Sequence, residues 1–225
     1  MKIVHIITSL GDGGAEHTLF KICKYDNLND HVVICLKGKQ KYFLLLSKLG
    51  IKVYSLNMNF FSFNKFFYLV KLLRVLSPDL VQTWLVHSDL IGSIAARFAG
   101  IKNIIWNIRY SKLEIGKAKL LTILITKLLS KLSFYIPKLI VVVSRNAKIF
   151  YKKEGYSKEK LTYIPNGYDL SILRPNKFKK KKFKIKNKIK KNSILIGKVA
   201  RYDPKKDHLN LLRALSLIKL KNLNF

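Results

Sequence analysis

A glycine-rich loop near the N-terminus is the first stretch whose residue types could do chemistry. Residues 11–16 read Gly-Asp-Gly-Gly-Ala-Glu, and an apolar run over residues 3–7 leads into them. Glycine lets a ligand approach the backbone, and the free N–H groups at the start of a following helix favour an anion. The loop is therefore a candidate phosphate site. A tight strand-to-helix turn explains the same residues, because the spacing is neither the dinucleotide fingerprint nor the P-loop.

Three further polar residues follow or end apolar runs. His87 comes shortly after a run that ends at Trp84, and Asn107 and Arg109 end the next run. In a doubly wound sheet, ligands bind outside the carboxyl ends of the strands, so we expect these residues to line a ligand crevice. For His87 the alternative is an ordinary residue at a helix start with a satisfied hydrogen bond. Asn107 and Arg109 are acceptor-pocket candidates by location only.

Short apolar runs alternate with helical patterns and supply the elements that would position these residues. The predicted strands cover residues 2–8, 31–36, 51–56, 79–84, 103–108 and 138–143. The predicted helices cover residues 15–24, 41–49, 63–76, 87–99, 112–135 and 145–154. Several strands are almost wholly apolar, which is typical of a parallel sheet with helices on both faces. The order predicts a doubly wound, Rossmann-like α/β domain.

The composition allows a large core and narrows the function classes. The chain has 225 residues and 49% hydrophobic content, enough for about one and a half domains. A formal net charge of +32 first suggests nucleic acid, membrane or an acidic substrate. Lysine is spread over nearly the whole chain together with many Ile and Asn, which indicates a compositional bias. Motifs of nucleic-acid recognition do not accompany the charge, so we expect no nucleic-acid partner.

The two cysteines and the apolar segments bear on the compartment. Cys23 and Cys35 lack metal-like spacing, so we expect buried free thiols, no metal site and a reducing cytosol. His5 and His31 lie in strand patterns and are expected to be packed structural residues. The N-terminus has no signal-peptide pattern. The most apolar long segment, residues 113–136, is interrupted by four lysines and predicts an amphipathic helix, not a membrane span.

After residue 162 the pattern changes and then restarts. Residues 163–169 combine a short strand with proline and Asn-Gly turn chemistry, and residues 177–192 are a lysine run with interleaved apolar residues. A strand over residues 193–199, a loop, and a helix over residues 207–219 capped by Asp207 then predict a second βα unit. We therefore expect a first domain over residues 1–169, a connector over 170–192, and the start of a second domain over 193–225.

Four segments in order resemble glycosyltransferase family 4, the retaining GT-B enzymes of polysaccharide and lipopolysaccharide assembly. They are Gly13-Gly-Ala-Glu16, Pro78-Asp-Leu-Val-Gln-Thr-Trp-Leu-Val-His-Ser-Asp-Leu-Ile-Gly92, Ile164-Pro-Asn-Gly-Tyr-Asp169 and Gly197-Lys-Val-Ala-Arg-Tyr-Asp-Pro-Lys-Lys-Asp-His208. In that family two Rossmann-like domains enclose the active site. The resemblance covers the whole chain, as the acceptor-side N-terminal domain and the opening of the donor-side domain.

The resemblance also implies residue roles. Gly13 and Gly14 would face the donor diphosphate, and His87 would be the catalytic residue that contacts the transferred sugar. Arg201 and Lys206 would grip the nucleotide diphosphate, where two cations would stabilise the charge that develops on the leaving group. In so basic a chain, ordinary surface charges are the alternative for both cations.

Glu16 begins the helix after the glycine loop and is a further acceptor-side candidate by the resemblance. Its carboxylate could equally do no more than complement the N-terminal dipole of that helix. No metal or other cofactor is implied, because the nucleotide-sugar is a substrate.

The implied reaction moves a sugar from a nucleotide-sugar donor to a lipid-linked or polysaccharide acceptor in cell-envelope polysaccharide biosynthesis. The family's second glycine-rich loop and glutamate pair are not found in these 225 residues, so we expect a truncated form with little or no activity alone. The alternative is a non-catalytic module that binds an acceptor or a partner.

Cytoplasmic location is expected, with peripheral association at the inner face of the membrane as an extension. The lysine run over residues 177–192 could be drawn to anionic headgroups, and a solvated, flexible connector is the alternative.

Overall fold

The computed structural model describes residues 1–59, 62–109, 120–190, 193–200, 202 and 204–220. The chain divides into two compact units, Met1–Gly167 and Tyr168–Phe225. The predicted domain boundaries at residues 169 and 192 stay predictions.

The first unit contains one parallel sheet of seven strands in the order β3-β2-β1-β4-β5-β6-β7. The six predicted strands are confirmed close to their predicted bounds, and β7 adds a short edge strand. The strands are β1 (Lys2–Ile7), β2 (Asp30–Cys35), β3 (Lys52–Ser55), β4 (Leu80–Trp84), β5 (Ile104–Ile108), β6 (Leu139–Val142) and β7 (Leu161–Tyr163). The doubly wound α/β prediction is therefore confirmed.

Helices cover both faces of the sheet. The helices of the first unit are α1 (Gly14–Tyr25), α2 (Lys41–Lys48), α3 (Phe63–Leu76), α4 (Val86–Phe98), α5 (Leu120–Leu132) and α6 (Arg145–Lys153). Buried side chains of α3, α4, α5 and α6 share one apolar core, and those of α1 and α2 share another. Successive residues of a strand point to opposite faces, so Ile6 enters the first core and Ile7 the second. This double burial explains why the strands are almost wholly apolar.

In the second unit, the helix predicted after Asp207 is confirmed. The described helices are α7 (Lys177–Lys186) and α8 (His208–Leu220), with a single 3-10 turn at Pro204–Lys206. Asp207 Oδ1 accepts a hydrogen bond from the backbone N–H of Asn210 at 3.3 Å, as an N-cap should. Within the described ranges, no helix is both long and apolar enough to cross a membrane.

The strand predicted over residues 193–199 is wrong. Residues 193–200 have no regular secondary structure. An apolar run becomes a strand only when a neighbouring strand takes up its backbone N–H and C=O groups. The described residues of the second unit supply no such neighbour.

The lysine run also differs from the predicted flexible connector, because its first part forms α7. Lysine is a good helix former, and Asn176 caps the helix by accepting a hydrogen bond from the N–H of Lys179 at 2.8 Å. In the first unit, the helix predicted over residues 112–135 is described from Leu120 onward, and the earlier part of that prediction lies outside the described residues.

Close packing at Gly92 fixes α4 against the centre of the sheet. A Cβ atom on Gly92 would lie 3.0 Å from Cγ2 and 3.2 Å from Cδ1 of Ile6, and 3.2 Å from Cγ2 of Thr83. Helix α4 therefore sits against β1 and β4 at a distance that only glycine allows without rearrangement.

We expect Gly92→Ala to lower the free energy of unfolding by about 1–2 kcal/mol, because overpacking outweighs the ~1 kcal/mol that alanine normally gains in a helix. Urea unfolding followed by tryptophan fluorescence checks this, since Trp84 and Trp106 are both fully buried in the first unit. Gly14→Ala is the matched control, because a Cβ there meets no atom within 4 Å. Equal effects of the two changes would contradict the packing argument.

Candidate functional site

The topological switch point of the sheet lies between β1 and β4. The chain proceeds from β1 through β2 to β3 on one side, and from β4 through β5 and β6 to β7 on the other. The connections that leave β1 and β4 therefore diverge at adjacent strands, which opens the crevice where ligands bind in such sheets. The first of these connections is the glycine loop and the second leads to His87, so the structure brings these two predicted features to neighbouring strand ends.

Space, and not backbone conformation, explains glycine at position 13. Gly13 is the N-cap of α1 with φ −133° and ψ 169°, an extended conformation that any residue adopts. A Cβ atom there would lie only 2.4 Å from Oε2 of Glu16. At Gly14, the same construction meets no atom within 4 Å. The loop is thus packed tightly against Glu16 at Gly13, whereas the space around Gly14 is open.

Glu16 is buried and places its carboxylate at the start of α1. Ser9 Oγ donates a hydrogen bond to Oε1 at 3.2 Å, while Oε2 lies beside Gly13. A carboxylate at this position interacts favourably with the positive end of the helix dipole. The same charge opposes a phosphate at the α1 N-terminus. A diphosphate that approaches Gly13 must therefore displace the Glu16 side chain or bind beyond it.

A strained backbone turn at Leu85 places His87 at the edge of the site. Leu85 has φ 75° and ψ 151°, a conformation that non-glycine residues rarely adopt. It ends β4 sharply, so that α4 starts at Val86 and His87 is its second residue, half-buried. No side chain caps α4, whereas Ser144 caps α6 by accepting from the N–H of Ala147 at 3.0 Å.

A side-chain hydrogen bond ties the two connections together. Thr8 Oγ1, just after β1, lies 3.0 Å from Oγ of Ser88, the residue after His87. Either hydroxyl could be the donor. The contact joins the end of one central strand to the first turn of the helix that follows the other, and it therefore limits how far the two walls of the crevice can separate.

Arg109 organises a second group at the neighbouring strand end. Its Nη1 donates to Oδ1 of Asn166 at 2.7 Å and its Nη2 to Oδ1 of Asn107 at 3.1 Å. The guanidinium carbon lies 4.6 Å from the ring centroid of Trp84, a cation–π distance. Burial lowers the pKa of Arg109 to about 10, so the side chain stays charged at neutral pH. The structure thus brings Asn107 and Arg109 together, as a polar group on an aromatic face.

Asn166 was missed as a site residue, although its segment was part of the family resemblance. The signal in the sequence was a proline followed by Asn-Gly, which indicates a turn and says nothing about what the asparagine side chain contacts. Only the pairing of the strands shows that residues 107, 109 and 166 meet.

Two buried donors in this group have no hydrogen-bond partner. They are Nδ2 of Asn107 and Nε of Arg109. The amide orientation of Asn107 follows from its contact, because its oxygen must face the Arg109 donor. A buried donor without a partner costs about 1–3 kcal/mol, so this strand end carries unused hydrogen-bonding capacity beside a positive charge.

A directed chain of hydrogen bonds runs beneath the site. Trp84 Nε1–H donates to Nδ1 of His5 at 3.3 Å, and indole nitrogen can only donate. His5 must then carry its proton on Nε2, which lies 2.9 Å from Nδ1 of His31. His31 Nε2 in turn lies 3.2 Å from Oδ2 of Asp26, close enough for attraction but without good hydrogen-bond geometry. The chain fixes the indole on which Arg109 rests.

His5, Cys23 and His31 also offer metal-ligating atoms within 4.8 Å of one another, all buried. Their present arrangement fits packed residues. The facing nitrogens of the two histidines share a hydrogen bond, and burial raises the pKa of the Cys23 thiol to about 12, which keeps it protonated. The expectation that both histidines and both cysteines are buried, with free thiols, is confirmed.

The predicted donor-side residues lie in the second unit. Lys206 is exposed in the Pro204–Lys206 turn, and its carbonyl accepts a hydrogen bond from Nζ of Lys198. Arg201 lies outside the described residues. Their roles stay predictions.

The doubly wound parallel sheet and the two connections that leave its switch point define a Rossmann-like α/β domain. The model of Glycosyltransferase Family 4 matches residues 12–172, and the chain belongs to that family.

Comparison with known proteins gives relatives of the same kind. The chain is 29% identical over 158 residues to the UDP-Gal:alpha-D-GlcNAc-diphosphoundecaprenol alpha-1,3-galactosyltransferase of Escherichia coli, an alignment that covers 69% of this chain and 40% of that protein. HepE of Anabaena in complex with UDP superposes with a TM-score of 0.81 at 19% identity, over 96% of this chain and 58% of that one. A glycosyltransferase of Rickettsia africae gives 0.73 at 20% identity, over 100% and 58%. The chain thus spans about half the length of these relatives.

We expect acidification to destabilise the first unit through His5. Burial, and after it the charge of His31, lowers the pKa of His5 from 6.5 to about 3. Between these values the unfolded chain binds more protons than the folded one, so stability is lost as pH falls from about 6.5 toward 3, by up to about 1.4 kcal/mol per pH unit. Urea unfolding at pH 7.5, 6.5, 5.5 and 4.5 measures the slope.

The His5→Gln variant isolates this contribution, because glutamine can accept from Trp84 and does not titrate. It should lose less stability per pH unit than the unchanged chain, whereas the control His17→Gln, at an exposed histidine, should follow the unchanged chain. The comparison is needed because burial raises the pKa of Asp89, which contributes a slope of opposite sign. Parallel slopes for all three proteins would refute the assignment to His5.

Proposed function

We propose that this chain is the acceptor-side part of an enzyme that transfers a sugar from a nucleotide-sugar donor to a hydroxyl of a lipid-linked or polysaccharide acceptor. The proposed setting is cell-envelope polysaccharide biosynthesis. Membership of Glycosyltransferase Family 4 over residues 12–172 supports it. So does the name of the E. coli relative, which specifies UDP-Gal as donor and a diphosphoundecaprenol-linked sugar as acceptor. A galactosyl donor is the working proposal for this chain.

One structural observation carries the proposal. At the switch point, α1 and α4 both begin without a side-chain cap, at the ends of adjacent strands. The N–H groups in the first turn of a helix have no intrahelical partner and carry partial positive charge. The α4 terminus beside a polar cluster suits phosphate oxygens, whereas the α1 terminus, which faces the Glu16 carboxylate, suits the hydroxyl groups of a sugar.

We assign His87 the role of contacting the transferred sugar. Its position in the first turn of α4 holds it half-buried, because Leu85 turns the chain sharply and Ser88 is bonded to Thr8. A backbone held this way places the imidazole beside the crevice, where it can donate or accept a hydrogen bond at a sugar hydroxyl. The alternative is that His87 is an ordinary residue at a helix start. In that case, His87 makes no contribution to the rate of sugar transfer.

We propose that Asn107 and Arg109, together with Asn166, which contacts Arg109, form the acceptor-side group. Arg109 is charged, rests on Trp84 and is held by two amide oxygens. Held in this way, it can bind an anionic or hydroxyl oxygen of an acceptor with little loss of side-chain entropy. Glu16 keeps its proposed place on the α1 side of the crevice.

Arg201 and Lys206 are proposed to bind the diphosphate of the donor, since a departing nucleoside diphosphate gains negative charge as the glycosidic bond breaks. Retention of the anomeric configuration and independence from metal belong to the proposal through the family.

The 225-residue polypeptide by itself should transfer little or no sugar. The described residues of the second unit form helices and a 3-10 turn but no strand, so they cannot build the sheet that would position a nucleotide. Turnover of UDP-galactose by the purified chain, with a lipid-diphosphate sugar acceptor, measures this. Rapid transfer by the isolated polypeptide would refute it.

A chimera tests the transferase assignment itself. Residues 1–167 would be joined to the portion of the E. coli galactosyltransferase that this chain does not cover. We expect galactose transfer, and a loss of about 100-fold in kcat on His87→Ala, because an interaction made in the transition state is removed.

Asn146→Ala provides the matched control for the chimera. Asn146 is exposed at the start of α6, at the same edge of the sheet but two strands away from β4, and should leave kcat unchanged. Equal rates for the His87→Ala and Asn146→Ala chimeras would leave His87 with the ordinary helix-start role.

A non-catalytic acceptor-binding module is the second candidate. The observation that favours it is the compactness of Met1–Gly167, which contains the described acceptor-side group by itself. Calorimetric binding of a lipid-diphosphate sugar analogue to the 225-residue chain, together with a chimera that never turns over, would favour this candidate over the enzyme.

A further inference from the structure

Helix α5 is apolar on two opposite sides. Its inner side chains Ile125 and Leu129 belong to the core between helices and sheet. Its outer side is also apolar but faces solvent. The outward residues are Leu120, Leu121, Leu124 and Leu128, between 41% and 73% exposed. Four exposed leucines on one side of a helix form an apolar patch, in contrast to the single exposed apolar residues that are common on protein surfaces, so the outer side of α5 is a candidate contact surface.

The outward leucines form a continuous stripe. Leu120, Leu124 and Leu128 follow one another at intervals of four residues, which places them on one face of the helix. Just after α5, the exposed aromatic rings of Phe134 and Tyr135 extend the apolar surface. We call this surface, Leu120, Leu121, Leu124, Leu128, Phe134 and Tyr135, the α5 face.

The charged residues of α5 itself are both lysines. Lys127 and Lys131 are exposed within α5, and the helix contains no acidic residue. Helix α3, in the same layer, also contains no acidic residue and exposes Phe63 and Phe67 with Lys71. Apolar side chains flanked by lysines are typical of helices that lie in a membrane interface.

We propose that the α5 face binds the surface of an anionic lipid bilayer, with the helix lying in the interface. The charge complementarity favours this occupant, because the lysines match anionic headgroups while the leucines reach the acyl boundary. A second copy of the chain fits less well, since neither α3 nor α5 carries a carboxylate to pair with the lysines of a partner. The inference extends the proposed function, as it would bring the chain to a lipid-linked acceptor.

Net charge alone would also attract this chain to anionic vesicles. The charge is +32, and α7 contributes seven lysines in ten residues. The proposal is therefore tested by local changes against matched changes elsewhere, and by apolar as well as charged substitutions.

The first experiment measures sedimentation of the 225-residue chain with vesicles of phosphatidylcholine, with and without 30% phosphatidylglycerol. The double variant Leu124→Ser/Leu128→Ser should reduce the partition coefficient to anionic vesicles by about 100-fold, since each leucine loses roughly tenfold of apolar transfer. The control Leu28→Ser/Leu44→Ser changes two exposed leucines outside α5 and should alter binding less than twofold. Circular dichroism checks that both variants stay folded.

The second experiment removes charge. Lys127→Gln/Lys131→Gln should weaken binding by about fivefold per lysine, because a lysine near the headgroups contributes roughly 1 kcal/mol. Lys24→Gln/Lys48→Gln lowers the net charge equally, at exposed positions on α1 and α2, and should have a much smaller effect. Added salt should weaken binding of the unchanged chain without abolishing it.

Three results would overturn the proposal. Equal losses in the α5 variants and their controls would show a diffuse charge effect. Loss of binding only when the lysines of α7 are replaced would assign the surface to α7. A dimer in light scattering that the leucine double variant dissociates, together with unchanged vesicle binding, would show that a second copy covers the face. No transfer reaction is involved, so the result is independent of whether the transferase assignment holds.

Discussion

The pairing of β1 with β4 is the constraint on which the rest of the structure depends. It places the glycine loop beside the first turn of α4, and contacts on both faces of the sheet hold it. On one face, Gly92 lets α4 come close to Ile6 of β1 and to β4. On the other face, Trp84 of β4 donates to His5 of β1. The Thr8–Ser88 contact then joins the two connections at the strand ends. The crevice is therefore an outcome of core packing, since its walls are extensions of two strands locked on both sides.

Buried polar residues connect that core to the site edge. His5 and His31 would be costly in an apolar layer if their nitrogens lacked partners. Here the indole fixes the tautomer of His5, and His5 in turn fixes that of His31. The remaining ring nitrogen, His31 Nε2, lies 3.2 Å from Oδ2 of Asp26 without forming a regular hydrogen bond. Trp84 is thus held in one orientation, and its face supports the Arg109 guanidinium. A polar chain within the sheet therefore determines where a positive charge lies at the surface.

The sequence predicted most of the first unit and little of the second, for a physical reason. Strands buried on both faces are almost wholly apolar, so most of β1 to β6 could be located from their apolar runs and the helical patterns between them. Residues 193–199 have the same composition but no strand beside them among the described residues, and a sheet requires pairing that no local pattern contains. For the lysine run the error was the reverse, because a flexible connector was predicted where a helix forms. Its solvent exposure was predicted, but the capping of α7 by Asn176 was overlooked.

Within the site, the sequence could place residues at strand ends but could not reveal their contacts. Position relative to the strands was enough to select His87, Asn107 and Arg109. Asn166 could not be identified from the sequence, because it is separated from its partner Arg109 by 57 residues along the chain. Their contact depends on where β7 joins the sheet. The packing of the Glu16 carboxylate against Gly13 was equally hidden, as it depends on a side-chain orientation within the first turn of α1.

Because of the position of Glu16, the electrostatic environment differs between the α1 side and the α4 side of the crevice. On the α1 side, a buried carboxylate offsets the helix dipole. On the α4 side, the helix N-terminus has no side-chain cap and exposes no acidic group in its first turn. The acidic residue of that turn, Asp89, is buried and accepts a hydrogen bond from Thr83 Oγ1 at 2.6 Å. Arg109 adds its charge just after β5, the strand next to β4. An anion therefore meets a more favourable electrostatic environment toward α4 and β5 than in the glycine loop, where the absence of a side chain at Gly13 leaves room for the Glu16 carboxylate.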